Sequence, residues 1–102
     1  MKQYSLKIHR EALNDIQNIT DWYNDKSKGL GTRFQKQVIS QINKLKSRGE
    51  IYAIRYEDVR CVVIKKFPFM VHFTIDTEKR ILTVYAVFHT SRNPRIWEYR
   101  FK

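Results

Sequence analysis

The stretch from Arg60 to Ile96, RCVVIKKFPFMVHFTIDTEKRILTVYAVFHTSRNPRI, decides the fold class of this 102-residue chain. Apolar and polar residues alternate along it in the pattern of strands with a buried face. A proline and a polar turn at 77–80 separate the runs, so they predict an antiparallel meander. Pro68 lacks a backbone N–H and is expected at a strand end or a bulge. The predicted strands are Cys61–Phe67, Phe69–Asp76 and Ile81–His89.

The first half of the chain predicts one further strand and two helices. Tyr4, Leu6 and Ile8 alternate with polar residues, as in a strand with one covered face. Apolar residues then recur at helical spacing over 11–25 and 30–48, with glycines between the two segments. Two amphipathic helices joined by a short loop form an antiparallel hairpin that covers one face of a sheet.

These elements predict a single α+β domain over residues 1–102, with the helical hairpin packed on a mainly antiparallel twisted sheet. The N-terminal strand is expected at or near an edge, beside a later strand. A short strand around 53–56 is also expected. A chain of 102 residues has room for one sheet and one helical layer.

The chain is strongly basic. Twenty Lys+Arg against ten Asp+Glu give a formal net charge of +10, which favours nucleic acids or acidic proteins as partners. Between Lys26 and Arg48, seven basic residues occur without an acidic one. Such a run is also typical of a solvated helix face.

Metals, cofactors and membranes are not expected as partners. Cys61 is the single cysteine and lies in an apolar strand pattern, which favours a buried structural thiol. No Cys/His spacing indicates a metal site. No stretch reaches the roughly 18 apolar residues of a membrane helix, and the N-terminus lacks the apolar region of a signal peptide. A cytoplasmic protein is therefore expected.

A histidine and two arginines gather where the last predicted strand ends. His89 closes that strand, and Arg92 and Arg95 follow on either side of Pro94. A histidine can act as general acid or base near neutral pH, and an arginine can bind a phosphate or a carboxylate bidentately. The plainer interpretation is that His89 hydrogen-bonds a backbone group at the sheet edge and that the arginines are solvated.

Further candidates are expected around this surface. Arg60 and Lys65 would lie at its rim, although Arg60 is also suited to anchoring the sheet to the preceding loop. Lys65 and Lys66 are consecutive in a predicted strand, so only one of them can face the surface. In the C-terminal tail, Trp97 and Tyr99 alternate and are the aromatic residues best suited to a partner interface.

The order strand, helix, helix, three strands, together with the ending around His89, resembles the RelE/ParE superfamily of toxins from bacterial type II toxin–antitoxin systems. Within that superfamily, RelE-like ribonucleases carry an arginine at the start of the strand that here begins at Phe69. The string Lys66-Phe67-Pro68-Phe69 is instead similar to the aromatic start of the ParE-like strand. The chain therefore resembles the ParE branch more closely.

The resemblance implies a toxin that binds and poisons DNA gyrase without chemistry of its own and is neutralised by a cognate antitoxin. The alternative is a ribosome-dependent mRNA endonuclease, with His89 as general acid or base and Arg92 or Arg60 as the cation at the transition state. A third alternative is a basic binding module that has lost activity. The implied assembly is a homodimer or a toxin–antitoxin heterotetramer. The residues expected to bind the target or the antitoxin are Arg60, Lys65, Arg92, Arg95, Trp97 and Tyr99.

Overall fold

The computed structural model describes residues 3–92, which contain two long helices and a five-stranded sheet. Their order confirms the predicted α+β class, with a helical hairpin between the first strand and the others. No helix within residues 3–92 is long and apolar enough to cross a membrane. In chain order the elements are β1 (Ser5–Ile8), α1 (Arg10–Lys26), α2 (Leu30–Arg48), a 3-10 helix (Gly49–Ile51), β2 (Ile54–Tyr56), β3 (Val59–Val63), β4 (Phe69–Asp76) and β5 (Ile81–His89).

The strands lie in the order β1-β5-β4-β3-β2. β1 pairs in parallel with β5, whereas β2, β3, β4 and β5 are antiparallel neighbours. The N-terminal strand therefore lies at one edge beside the last strand, as predicted. β5 pairs with β4 along its whole length but pairs with β1 only over its first half, residues 81–84.

The prediction of a strand over Cys61–Phe67 was wrong beyond Val63. Residues 64–68, the β3–β4 loop, form a turn in which Lys66 has a φ of 73°. A side chain with Cβ rarely adopts this left-handed conformation, which cannot continue an extended strand. Lys65 and Lys66 therefore lie in the loop and not on opposite faces of a strand.

One face of each helix packs on the sheet. The buried helical residues recur every three or four positions, as in an amphipathic helix. They contact sheet residues that point to the same side, among them Phe73 and Leu82, which are fully buried. Burying a side chain of this size stabilises the fold by about 1.5–3 kcal/mol. The helical members of this core are Ala12, Ile16, Phe34, Val38, Ile42 and Leu45.

The face of the sheet away from the helices carries a second apolar cluster. Val59 and Cys61 of β3, Met70 of β4, and Ala86 and Phe88 of β5 form it, and none of them is more than 9% exposed. Side chains alternate between the two faces of a strand. The middle of the sheet is therefore apolar on both sides, which explains why β4 and β5 read as nearly continuous apolar runs.

The two helices approach each other most closely at the start of α2. A Cβ on Gly31 would overlap the Thr20 carbonyl oxygen and lie 2.7 Å from Asn24 Cγ. The Gly31 N–H also donates a hydrogen bond to Asn24 Oδ1 at 2.8 Å. The absence of a side chain at Gly31 therefore sets the distance between α1 and α2.

We predict that Gly31→Ala lowers the free energy of unfolding by about 3 kcal/mol, because the added methyl meets backbone that can give way only if α1 shifts. Gly29→Ala is the matched control. Gly29 has a φ of 85° but open space around its Cα, so its substitution should cost about 1 kcal/mol through backbone strain alone. Urea unfolding of both variants measures the difference, and equal losses would contradict the close approach.

Candidate functional site

β5 ends in a turn that is joined to the β3–β4 loop. The Arg92 N–H donates to the His89 carbonyl oxygen at 3.0 Å and closes the turn, while the Thr90 N–H donates to the Pro68 carbonyl oxygen at 2.9 Å. Phe69 pairs with His89 across β4 and β5. The turn and the loop therefore lie side by side at one end of the sheet.

His89 holds this turn through one ring nitrogen. Its Nδ1 accepts the Ser91 N–H at 3.0 Å and lies 2.7 Å from Ser91 Oγ. Because a backbone N–H can only donate, Nδ1 is an acceptor here and the neutral ring carries its proton on Nε2. The ring packs edge-on against Phe69, with centroids 5.2 Å apart. These contacts match the plainer interpretation of His89, a histidine bonded to backbone at the end of the sheet.

The Arg92 guanidinium contacts Phe88, the neighbour of His89 in β5. Its Cζ lies 5.6 Å from the centroid of the Phe88 ring, which belongs to the second apolar cluster. Phe69, against which His89 packs, belongs instead to the core beneath the helices. A general acid or base and a transition-state cation must reach the same phosphate. His89 and Arg92 thus contact rings on opposite faces of the sheet, although both residues line one cleft beside α1.

A cleft of about 210 Å³ opens between α1 and the end of β5, with His89 and Arg92 at its wall. Asp15 of α1 also lines it, and Asp15 Oδ2 accepts the Val87 N–H at 3.0 Å. β1 has ended by this point, so Asp15 is the hydrogen-bond partner of β5 at its free edge. Asp15 was not a candidate from the sequence, because no local pattern places it beside β5. A carboxylate in the cleft repels phosphate and so disfavours a phosphodiester there.

Lys65 lies at the same end of the sheet, in the β3–β4 loop. Its N–H donates to Gln41 Oε1 at 2.6 Å, and Gln41 Nε2 donates to the Val63 carbonyl oxygen at 3.0 Å. The carboxamide from α2 thus bonds to the edge of β3 as a neighbouring strand would. The Lys65 residue is exposed, so its ammonium is open to a partner.

Arg60 lies away from this end of the sheet. It pairs with Phe73 of β4, four residues from Phe69, which corresponds to about 13 Å along a strand. Its Nη1 donates to the carbonyl oxygens of Glu50 at 3.0 Å and Tyr52 at 2.7 Å. These bonds anchor the segment between α2 and β2 to the sheet, which is the second of the two roles expected for Arg60.

Arg95, Trp97 and Tyr99 lie outside the described residues, so their part in binding a target or an antitoxin stays a prediction.

Three side chains with exchangeable hydrogens meet on the face of the sheet that points away from the helices. His72 Nδ1 lies 3.1 Å from Tyr56 Oη and 3.2 Å from Cys61 Sγ. Burial raises the pKa of the Cys61 thiol to about 11, and burial followed by the charge of Cys61 raises the pKa of the Tyr56 hydroxyl. Both groups keep their hydrogens at neutral pH and lie within hydrogen-bonding distance of Nδ1. The alternation of apolar and polar residues predicted that Cys61 is buried. Its contact with His72 follows only from the pairing of β3 with β4.

The sequence matches the family of ParE toxins of the type II toxin–antitoxin system parDE over residues 6–94. The matched region includes both helices and the whole meander. Fold and match together define a toxin of a type II toxin–antitoxin system. Within that class, the chain belongs to the ParE toxin family. A comparison with curated proteins finds no match.

Solved toxin structures have the same fold. The chromosomal ParDE system from P. aeruginosa matches with a TM-score of 0.75 and 20% identity over 85% of this chain and 96% of that chain. A double mutant of the E. coli toxin RelE in the free state matches with a TM-score of 0.71 and 14% identity over 97% and 95%. The intact E. coli RelBE complex gives a TM-score of 0.65 and 17% identity over 87% and 99%. At these identities the likeness shows the fold alone.

We predict that His89→Ala lowers the free energy of unfolding by about 1 kcal/mol, since the Ser91 N–H loses its acceptor. His89→Asn is the matched control, because an asparagine oxygen can accept the N–H two residues later and hold the same turn. Asn should therefore recover much of the loss in urea unfolding. Both folded variants should still inhibit growth. Loss of toxicity in both, with the fold intact, would show instead that the imidazole itself takes part in the activity.

We predict that the folded protein holds its thiol almost entirely protonated at pH 8, with about 100-fold less thiolate than the unfolded chain, because burial raises the pKa of Cys61 from 9.0 to about 11. Alkylation of Cys61 should therefore be at least that much slower without urea than with it. The stability linked to this raised pKa is fully present below about pH 9 and is lost as the pH rises through about 11. Rapid labelling of the folded chain at pH 8 would contradict the buried cluster.

Proposed function

We propose that this toxin inhibits growth by binding and poisoning DNA gyrase, without cutting RNA. The observation that carries the proposal is the arrangement at the end of β5. His89 Nδ1 is bound to Ser91, and the Arg92 guanidinium lies over Phe88. Asp15 lines the cleft between α1 and β5. These contacts occupy His89 and Arg92 with the turn and with Phe88 and do not aim the two groups at a common scissile phosphate.

The start of β4 supports the same proposal. RelE-like ribonucleases are expected to carry an arginine at this position, whereas here Phe69 packs against Tyr23 and Phe34, with ring centroids 6.1 Å and 5.6 Å away. The position thus packs against the apolar core, where an aromatic ring gains contacts that a guanidinium would lose. Membership of the ParE family agrees with a toxin that acts by binding.

A ribosome-dependent mRNA endonuclease is the second candidate. It is favoured by the formal charge of +10 and by the position of Lys65 and Arg92 at one end of the sheet, where two cations could neutralise phosphates of an RNA. On this alternative, His89 would transfer a proton through Nε2, the ring nitrogen that the turn leaves unused.

If the proposed function is correct, a cognate antitoxin binds this toxin and neutralises it. Solved relatives include toxin–antitoxin complexes, and a strongly basic surface suits an acidic partner. A segment that is disordered when free can wrap such a surface and fold on it. The proposed assembly is a toxin–antitoxin heterotetramer, with a homodimer as the alternative, and the proposed target places it in the cytoplasm.

Purified toxin is expected to inhibit DNA supercoiling by gyrase and to cause accumulation of cleaved DNA, while cell-free translation continues. Arg92→Glu should weaken the inhibition by about tenfold or more, because reversing one charge at an interface costs on the order of 1.4 kcal/mol. Arg10→Glu is the matched control, since Arg10 is an exposed arginine at the start of α1. It should change the inhibition by less than about twofold.

The opposite pattern would overturn the proposal. It consists of unaffected gyrase, immediate arrest of translation, and mRNA cut only when ribosomes are present. In cells, SOS induction with filamentation indicates gyrase, and cleaved mRNA without an SOS response indicates the endonuclease.

A further inference from the structure

An apolar row crosses the sheet face that points away from the helices. It consists of Val63, Met70 and Phe88, since Val63 pairs with Met70 and Met70 pairs with Phe88 across β3, β4 and β5. Residues directly opposite each other on neighbouring strands point to the same face, with Cβ atoms about 5 Å apart. Met70 and Phe88 are buried, whereas Val63 at the edge is 55% exposed.

Two arginines flank this apolar row. Arg55 Nη1 lies 3.9 Å from Met70 Sδ, and Arg92 Cζ lies 5.6 Å from the centroid of the Phe88 ring. Both arginines are exposed. The pairing of β2 with β3 shifts in register within Ile54–Tyr56, and such a bulge re-aims the side chain at that point of a strand. Arg55 was not a candidate from the sequence, because its contact with Met70 depends on how β2 pairs with β3.

We propose that Arg55 and Arg92 form a clamp for two carboxylates of an acidic peptide segment that lies across the apolar row. The segment belongs to the antitoxin, so this inference rests on the proposed neutralisation by a cognate antitoxin. Each guanidinium binds a carboxylate through two parallel N–H groups. The contacts with Met70 and Phe88 place the two guanidinium groups within about 20 Å of each other, a span that acidic residues about four apart in an extended peptide can bridge together with their side chains.

The chemistry of the surface favours a peptide over a nucleic acid. Single-stranded nucleic acids bind on open aromatic faces and along continuous lines of cations. The aromatic ring of the apolar row is Phe88, and Arg92 already lies over it. Arg55 and Arg92 are separated by apolar side chains. A segment with one acidic residue for each arginine and an aliphatic residue at one end would place a carboxylate at each arginine and the aliphatic side chain against exposed Val63.

The variants Arg55→Gln, Arg92→Gln and the double substitution test the clamp. The probe is the antitoxin encoded beside the toxin gene, labelled with a fluorophore and titrated by anisotropy. Each single substitution is expected to weaken binding by about tenfold and the double substitution by about 100-fold. These losses should shrink as the salt concentration rises.

Arg10→Gln and Arg33→Gln are the matched controls, since they remove the same charge from exposed positions on the helices. They should weaken binding by less than about threefold. Urea unfolding of every variant confirms that its fold is retained. Unchanged antitoxin binding in the folded double variant would overturn the clamp.

A photo-crosslinking residue in place of Val63 gives an independent readout. Its cross-link should map by mass spectrometry to a stretch of the antitoxin that contains at least two acidic residues. A cross-link to a non-acidic stretch would overturn the clamp. Antitoxin binding that is retained by the double variant, while binding of oligo-uridylate is lost, would assign the surface to nucleic acid instead.

The gyrase assay is separate from these measurements. A toxin that inhibits gyrase but binds its antitoxin independently of Arg55 and Arg92 refutes the clamp alone. A toxin that leaves gyrase unaffected but needs both arginines to bind its antitoxin refutes the gyrase target alone.

Discussion

The pairing of β5 on both sides is the constraint on which the candidate site depends. β4 accompanies β5 over residues 81–89, but β1 accompanies it only over residues 81–84. A strand that extends beyond its edge partner leaves backbone groups that need hydrogen bonds. Asp15 of α1 supplies one of them at Val87. The cleft at the end of β5 exists because β1 is too short to fill that place.

The alternation of side chains along β5 explains why the predicted cluster separates. Phe88 and His89 are adjacent, so they point to opposite faces of the sheet. The turn after β5 then places Arg92 over Phe88, whereas His89 packs against Phe69 beneath the helices. His89 and Arg92 are three positions apart in the sequence, yet they contact rings on opposite faces of the sheet.

The charge of the protein divides into cations with structural partners and cations left for a partner molecule. Arg60 bonds to two backbone carbonyl oxygens, so much of its hydrogen-bonding capacity is used within the fold. Lys65, Arg55 and Arg92 are exposed, and the latter two contact uncharged side chains. A net charge predicts the sign of the partner, but the position of the available charge decides where the partner binds.

The sequence by itself determined the elements whose signal is local. The change from alternating to helical spacing predicted helices over 11–25 and 30–48, and the structure has them at Arg10–Lys26 and Leu30–Arg48. The meander, the edge position of the first strand and the buried Cys61 followed in the same way, because periodicity reflects the backbone geometry of each element. The tertiary structure alone decided the turn at Lys66, the carbonyl partners of Arg60 and the contact of Arg55 with Met70. Each of these depends on register, bulges and loop closure between residues far apart in the chain, and no local pattern of residues encodes them.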